Sequence, residues 1–392
     1  MSTATARISQ LAAEIAPEAV ALRRDIHRNP ELGWNEHATT ARVAAVLARH
    51  GIDATVRETG TGLYADFGSG DPFIGFRADL DALPLHEASG VEFASSTPGI
   101  MHACGHDAHT AMAAGIAIAL NQLELPGRIR VVFQPAEEMI PGGAMTLLEE
   151  GVIDGIKAMI AFHVDPSLPP GKIGLRIGPI TGASDRLIVR LAGPGGHTSR
   201  PHQTVDLLYA AARVVSDFPA LLRNEVDPRQ AAVAVFGRIN GGSAANIIPA
   251  FVEMAGTVRM FDTDLWLEMP QLAEKLVKAI VAPLGAVATV DYTKGAPPVV
   301  NDEHVIEAVR RATHDVLGDD STADAYQSLG SEDFSWLLAD RPGALIRLGA
   351  GKVDAKTDLH SASFDLDETA IETGIAVGIA SLLELFESVG QL

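Results

Sequence analysis

Cys104 is the chain's only cysteine, and it lies in the run His102-Ala103-Cys104-Gly105-His106-Asp107-Ala108-His109. One cysteine cannot close an intramolecular disulfide, whereas soft sulfur two residues from an imidazole suits zinc and its first-row neighbours. On a helix two such side chains would point about 200° apart, so the pair belongs to an extended or turned segment before a helix, with Gly105 permitting the turn. A lone buried cysteine is more often inert packing. Here His102, His106, Asp107 and His109 weigh for ligation. Glu137 and Glu138 follow a Val-Val-Phe strand and a proline. Neighbouring side chains alternate along an extended chain, so one carboxylate is expected to hold metal while the other handles protons. His163 and His360 fill out a set of five ligands, although spacing alone leaves each as open to being a hydrogen-bonded structural histidine.

The elements that must carry these residues are read from apolar spacing. Ile8, Leu11, Ala12, Ile15, Ala19, Leu22 and Ile26 predict a helix over 8–28 that stops at Asn29-Pro30, and a second helix is expected near 37–50. Strands are expected over 73–78, 129–133 and 158–162, the last ending at His163, and an Ala-rich helix capped by Asp107 should run to about Leu123. Successive strands thus deliver polar groups to their carboxyl ends, where open α/β sheets bind ligands.

From about Ser184 the pattern changes to alternating strands over 187–191, 231–236 and 251–260, with helices near 203–217 and 264–281. After Gly295-Ala296-Pro297-Pro298 the first pattern resumes, with a helix over 305–317, a short element over 333–338, a strand over 344–348 and a C-terminal helix from about Asp367. The expectation is an α/β protein of two domains: residues 1–182 and 297–392 form a catalytic domain with a central, mostly parallel sheet, and 183–296 an inserted, smaller α+β domain. Gly178–Gly182 and Gly295–Pro298 are the expected hinges.

Composition bounds the function. A chain of 392 residues with 47% hydrophobic but only 5% aromatic residues suits a tightly packed α/β core. Fifty acidic against thirty basic residues give a formal charge of −20, which would repel nucleic-acid backbones and anionic lipid surfaces. No signal-like N-terminus and no uninterrupted apolar stretch of roughly 20 residues is evident. A cytoplasmic protein without a nucleic-acid or membrane partner is expected.

The motifs Asp25-Ile26-His27-Arg28-Asn29-Pro30-Glu31-Leu32, Arg77-Ala78-Asp79-Leu80-Asp81-Ala82-Leu83-Pro84, His102-Ala103-Cys104-Gly105-His106-Asp107, Gln134-Pro135-Ala136-Glu137-Glu138, Gly195-Gly196-His197 and Ser331-Glu332-Asp333-Phe334 occur in that order along nearly the whole chain. In these the sequence resembles the M20 family of metallo-amidohydrolases, and within it the branch of N-acyl-amino-acid amidohydrolases, hippurate hydrolases and auxin-conjugate hydrolases. The resemblance implies a zinc-peptidase-like catalytic domain holding two divalent ions (Zn, Mn, Ni or Co). Cys104 would bridge them, His106 and Glu138 would complete one half and His163 the other, and His360 would return from the C-terminal segment.

Glu137 falls on the general base. Asp81 and His109 are expected to orient ligands, with a helix-surface place open for His109 and the role of Asp79 undecided. In the inserted domain, His197 falls on the oxyanion donor, in cis or in trans, and Asn246 and Arg259 on the groups that bind a substrate carboxylate. Relatives use this domain to dimerise, so a homodimer or higher homo-oligomer is expected. The implied substrate is a small N-acyl amino acid, hydrolysed to a carboxylic acid and a free amino acid; a dipeptide is the alternative. Met139-Ile140-Pro141 departs from the glycine common directly after the paired glutamates. A metal-free hydrolase using Cys104 as nucleophile, and a binding protein of the same fold, are the remaining rivals.

Overall fold

The apolar spacing at the N-terminus produces α1, Thr3–Arg28, in the computed structural model, which describes residues 3–352 and 357–388. The chain continues through α2 (His37–Arg49), β1 (Ala54–Val56), β2 (Leu63–Gly68), β3 (Phe73–Asp79), α3 (His106–Leu120), β4 (Arg128–Gln134), α4 (Gly143–Glu149), β5 (Ala158–Asp165) and β6 (Ile173–Leu175). A second set follows: β7 (Ala183–Ala192), β8 (Gly196–His197), α5 (Leu207–Glu225), β9 (Ala232–Gly241), β10 (Ile247–Ile248), β11 (Phe251–Met260), α6 (Thr263–Val281) and β12 (Val287–Thr293). The chain then forms α7 (Glu303–Leu317), β13 (Thr322–Asp324), α8 (Phe334–Leu337), β14 (Gly343–Gly349) and α9 (Thr369–Ser388).

These elements fall into two compact units, Met1–Gly178 with Val300–Tyr326 and Asp333–Leu392, and Pro179–Val299 with Gln327–Glu332. The second unit therefore begins and ends within a few residues of the boundaries expected at 183 and 296. Gln327–Glu332 was expected in the first domain and belongs to the second. Its backbone explains the assignment: Ser328 donates to the Ile180 carbonyl, and Gly182 donates to the carbonyls of Ser328 and Gly330.

The first unit is built on an eight-stranded mixed sheet in the order β1-β2-β4-β3-β5-β14-β6-β13. The pairings of β3 with β4 and β5, of β5 with β14 and of β6 with β13 are parallel. Every residue of β3 and β14 is buried, as is every residue of α3. This central burial explains the run of alanines along α3: small side chains let the helix fit among α1, α9 and the sheet. By length and composition α9 could cross a membrane. Most of it is buried and it packs on α1, α3 and α7, so its apolarity is that of a core helix.

The second unit carries a four-stranded antiparallel sheet, β9-β11-β7-β12, with α5 and α6 packed together and against its strands. A separate two-stranded pair, β8 with β10, sets Ile247 opposite His197.

Two local expectations need correction. Asp107 does not cap α3, because Gly105, at φ 86°, takes that position and the helix begins at His106. His163 lies inside β5 rather than at its end, since the strand extends to Asp165.

Candidate metal centre

Gly105 brings the cysteine and the histidine to one place. Its left-handed backbone favours glycine, and a Cβ there would meet Cγ2 of Val164 at 2.3 Å. The tight turn sets Cys104 just before α3 and His106 as its first residue, against β5. Cys104 Sγ then lies 3.4 Å from Nε2 of His163 and 3.4 Å from Nε2 of His360. His360 itself adopts a left-handed φ of 59° and is tied by its N–H to the Ala103 carbonyl. Its Nε2 is 3.0 Å from Glu138 Oε1, a buried atom at ion-pair distance.

Potential ligand atoms of Cys104, His106 and His163 lie within 4.8 Å of one another, as do those of Cys104, Glu138 and His360, and those of His106, Glu137 and Glu138. Cys104 is shared by the first two groups. His106 belongs both with His163 and with Glu138, so the expected pairing of His106 with Glu138 is one that the spacing allows.

The far nitrogens of the rings are already used. Nδ1 of His106 donates to the Asp81 carbonyl at 2.9 Å and Nδ1 of His163 to the Val164 carbonyl at 2.8 Å, which turns Nε2 of each toward the cluster. Burial, with Arg347 and His109 beside it, holds His163 well below the usual imidazole range, as a neutral ligand must be. Burial also pushes the Cys104 thiol up to about 12, so a thiolate there needs cationic company. Burial opposes charge on His106 too, but Asp79 and Cys104 outweigh it and raise the ring well above the ordinary range: the pocket attracts positive charge.

His109 is buried rather than on the helix surface. Its Nδ1 donates to Asp79 Oδ1 at 2.7 Å and its Nε2 accepts from the Val164 N–H at 2.9 Å, so both nitrogens are engaged and the ring steadies β5 beside His163. Asp79, undecided from sequence, also accepts from Arg77 at 2.7 Å; Arg77 in turn donates to Gln134 and to Asp333. Asp81 accepts the N–H groups of Glu137 and Glu138 on its two oxygens, at 3.0 and 2.9 Å.

The two glutamates depart from the expected division of directions. Both reach the same cluster, with Glu137 Oε2 3.9 Å from Nε2 of His106. The alternation rule belongs to strands, and β4 ends at Gln134; Ala136, at φ 53°, then turns the chain.

In the second unit His197 and Asn246 are exposed neighbours, the Asn246 carbonyl accepting the Thr198 N–H at 3.2 Å. Nδ1 of His197 accepts from the N–H of Ser199 at 3.1 Å, and the Ser199 hydroxyl lies 2.8 Å from the same nitrogen. Arg259 is partly buried and donates through one terminal nitrogen to the Leu329 carbonyl at 2.6 Å.

Residues 75–384 match the model of peptidase family M20/M25/M40. The chain belongs to this family. It is 42% identical over 361 residues to a Rhodococcus jostii protein that bears the name of a glutamate–cysteine ligase; the match takes in 91% of this chain but 45% of that one, so the chain spans about half that relative's length. It is 40% identical over 298 residues to an N-acyl-L-amino acid amidohydrolase of Geobacillus stearothermophilus, covering 75% of this chain and 80% of that one. The crystal structure of a Bacillus subtilis protein described as a dinuclear metal binding peptidase of the M20 family superposes with a TM-score of 0.85 at 33% identity, over 96% of this chain and 99% of that one.

Within this M20 chain, sequence reasoning missed Glu36, Arg77, Asp333 and Ser199. Arg77 and Asp333 stood in motifs without a role assigned to them, and no local spacing marks Glu36 or Ser199.

Proposed function

We propose that this protein hydrolyses the amide bond of N-acyl amino acids, releasing a carboxylic acid and a free amino acid. The observation that carries the reading is the convergence of Cys104, His106, Glu138, His163 and His360 with Glu137 beside them. A buried thiol, inward-facing imidazole nitrogens and a buried carboxylate oxygen beside them form a donor set that fits two divalent cations, and zinc, manganese, cobalt or nickel is the expected identity. Such ions would supply Lewis acidity, acidifying a water and polarising the scissile carbonyl.

The chain's own residues would do the rest. Glu137 accepts the attacking water's proton on a carboxylate oxygen and returns it to the departing amine, so that water adds to the acyl carbon as the C–N bond breaks. His197 donates a proton in a hydrogen bond to the carbonyl oxygen as it gains charge. Arg259 and Asn246 hold the substrate's free carboxylate, Arg259 with the part of its guanidinium that Leu329 does not use. The relative named as an N-acyl-L-amino acid amidohydrolase supports the substrate class, and the structural neighbour described as dinuclear supports the pair of ions. The reading includes a cytoplasmic location and a homodimer.

Metal analysis of the purified protein, followed by a substrate panel in the metal found, tests the proposal. Two ions per chain and turnover of N-acetyl, N-benzoyl or long-chain N-acyl amino acids are expected, with loss on chelation and recovery on adding metal. Turnover of dipeptides alone would replace the substrate class. Activity that survives chelation and dies on thiol alkylation would overturn the metal reading in favour of Cys104 as nucleophile.

A further inference from the structure

Three consecutive N–H groups, those of Ala136, Glu137 and Glu138, point at two buried carboxyl groups. Asp81 takes the second and third, while Ala136 donates to Oε1 of Glu36 at 2.7 Å. The amides of Glu137 and Glu138 thus converge on one carboxylate, Asp81, while that of Ala136 turns to Glu36. Glu36 stands at the N-cap of α2, yet its side chain makes no capping bond to its own helix. Glu31 does that work instead, accepting the N–H groups of Ala38 and Thr39. The Glu36 carboxyl is thereby available to the turn at Ala136, although it is fully buried and its other oxygen has no hydrogen-bond partner.

The surrounding geometry is equally committed to that turn. Ala136 holds a left-handed φ of 53° and Trp34 one of 67°, conformations that persist only where the surroundings enforce them. Gly33 packs on the turn so closely that a Cβ there would lie 3.2 Å from the Ala136 Cα and 2.6 Å from Cγ of Met139. Burial raises the Glu36 carboxyl to about 7, a cost borne by a group whose one close hydrogen bond is to Ala136.

We infer that Glu36 is a positioning residue for the Glu137–Glu138 pair: the hydrogen bond it accepts from Ala136 holds the turn that aims both carboxylates at His106. The inference rests on the reading of Glu137 as the proton acceptor. Its effect passes through the backbone, so it calls for an acceptor oxygen at residue 36.

Glu36→Ala and Glu36→Gln, measured at saturating metal beside Glu137→Gln, test it. In Glu36→Ala, amide hydrogen exchange across 134–140 should speed up and kcat should fall roughly tenfold or more while KM moves less than about threefold. Glu36→Gln keeps an acceptor and should retain at least about a third of kcat, with slow exchange. Unchanged exchange in Glu36→Ala, or kcat within about twofold of the parent, would overturn the inference. So would a Glu36→Gln protein that is folded yet as impaired as the alanine variant, and if the alanine variant does not fold the glutamine variant decides alone. An active Glu137→Gln would remove the base reading instead, while the exchange measurement still judges the Glu36 bond.

Discussion

Glu137 sits where a proton acceptor is useful, with Oε2 3.9 Å from the inward nitrogen of His106 and its backbone fixed by Asp81. Glu137→Gln keeps the shape and removes the ability to accept a proton. With the five proposed ligands untouched, it should bind the same two ions and lose about 10²- to 10⁴-fold in kcat. Steady-state kinetics and metal analysis of one preparation check this, and near-normal turnover would strike Glu137 from the role. His197 permits a second argument at this scale. The Ser199 backbone N–H can only donate, so Nδ1 of His197 is the acceptor and the ring proton stays on Nε2. A neutral ring that presents Nε2–H is the form an oxyanion donor needs. Ser199→Ala deletes the hydroxyl and keeps the amide, so kcat should fall only a few-fold, against about 10²- to 10³-fold for His197→Ala. Nitrogen chemical shifts of the His197 ring should report an unprotonated Nδ1 and a proton on Nε2.

The packing of α1 on α3 carries a pH signature. His27 donates from Nδ1 to Asp107 Oδ2 at 2.8 Å and from Nε2 to Glu87 Oε1 at 3.1 Å, so both nitrogens bear protons and the ring is a cation. Burial opposes that charge, but Asp107 and Glu87 prevail and raise the group from 6.5 to about 9. A raised folded value means that the pair stabilises fully below pH 6.5, and that its contribution is lost as pH rises through 9. The loss should be on the order of 3 kcal/mol. Urea unfolding of the metal-loaded protein between pH 6 and 10 should show this decline, and His27→Gln should flatten it; a parallel decline in that variant would exclude His27 as the source. The same elements show what sequence could and could not convey. The strands and helices that deliver Cys104, Glu138, His163 and His360 stand out because apolar periodicity is local. Asp107 looked like a helix cap because aspartate favours that position, but its carboxylate serves Arg23 and His27 on α1 instead. Glu36 and Asp333 act across 100 and 256 residues, on Ala136 and Arg77, and no spacing pattern encodes such partners.

At the scale of the whole molecule, β9 is a long outer strand with exposed apolar side chains, interrupted by a bulge between Phe236 and Arg238. β9 pairs only with β11, and Val233, Val235 and Ile239 along it are 42%, 59% and 51% exposed. On α5, which packs against β9, Leu208 and Tyr209 are also exposed, at 45% and 50%. An exposed edge of this length is a template for another strand, and soluble proteins normally blunt such edges with charge, proline or cover. The formal charge of −20 works against random association. Two copies related by a two-fold axis could pair β9 with β9 in antiparallel fashion, each satisfying the other's open N–H and C=O groups. The homodimer of the proposed reading is expected to use this strand. Val235→Lys with Ile239→Lys puts like charges across such an axis. The double variant should sediment as a monomer where the parent sediments as a dimer, with the ion content of the first unit unchanged. A parent that is monomeric at micromolar concentration, or a double variant that remains dimeric, would move the contact elsewhere.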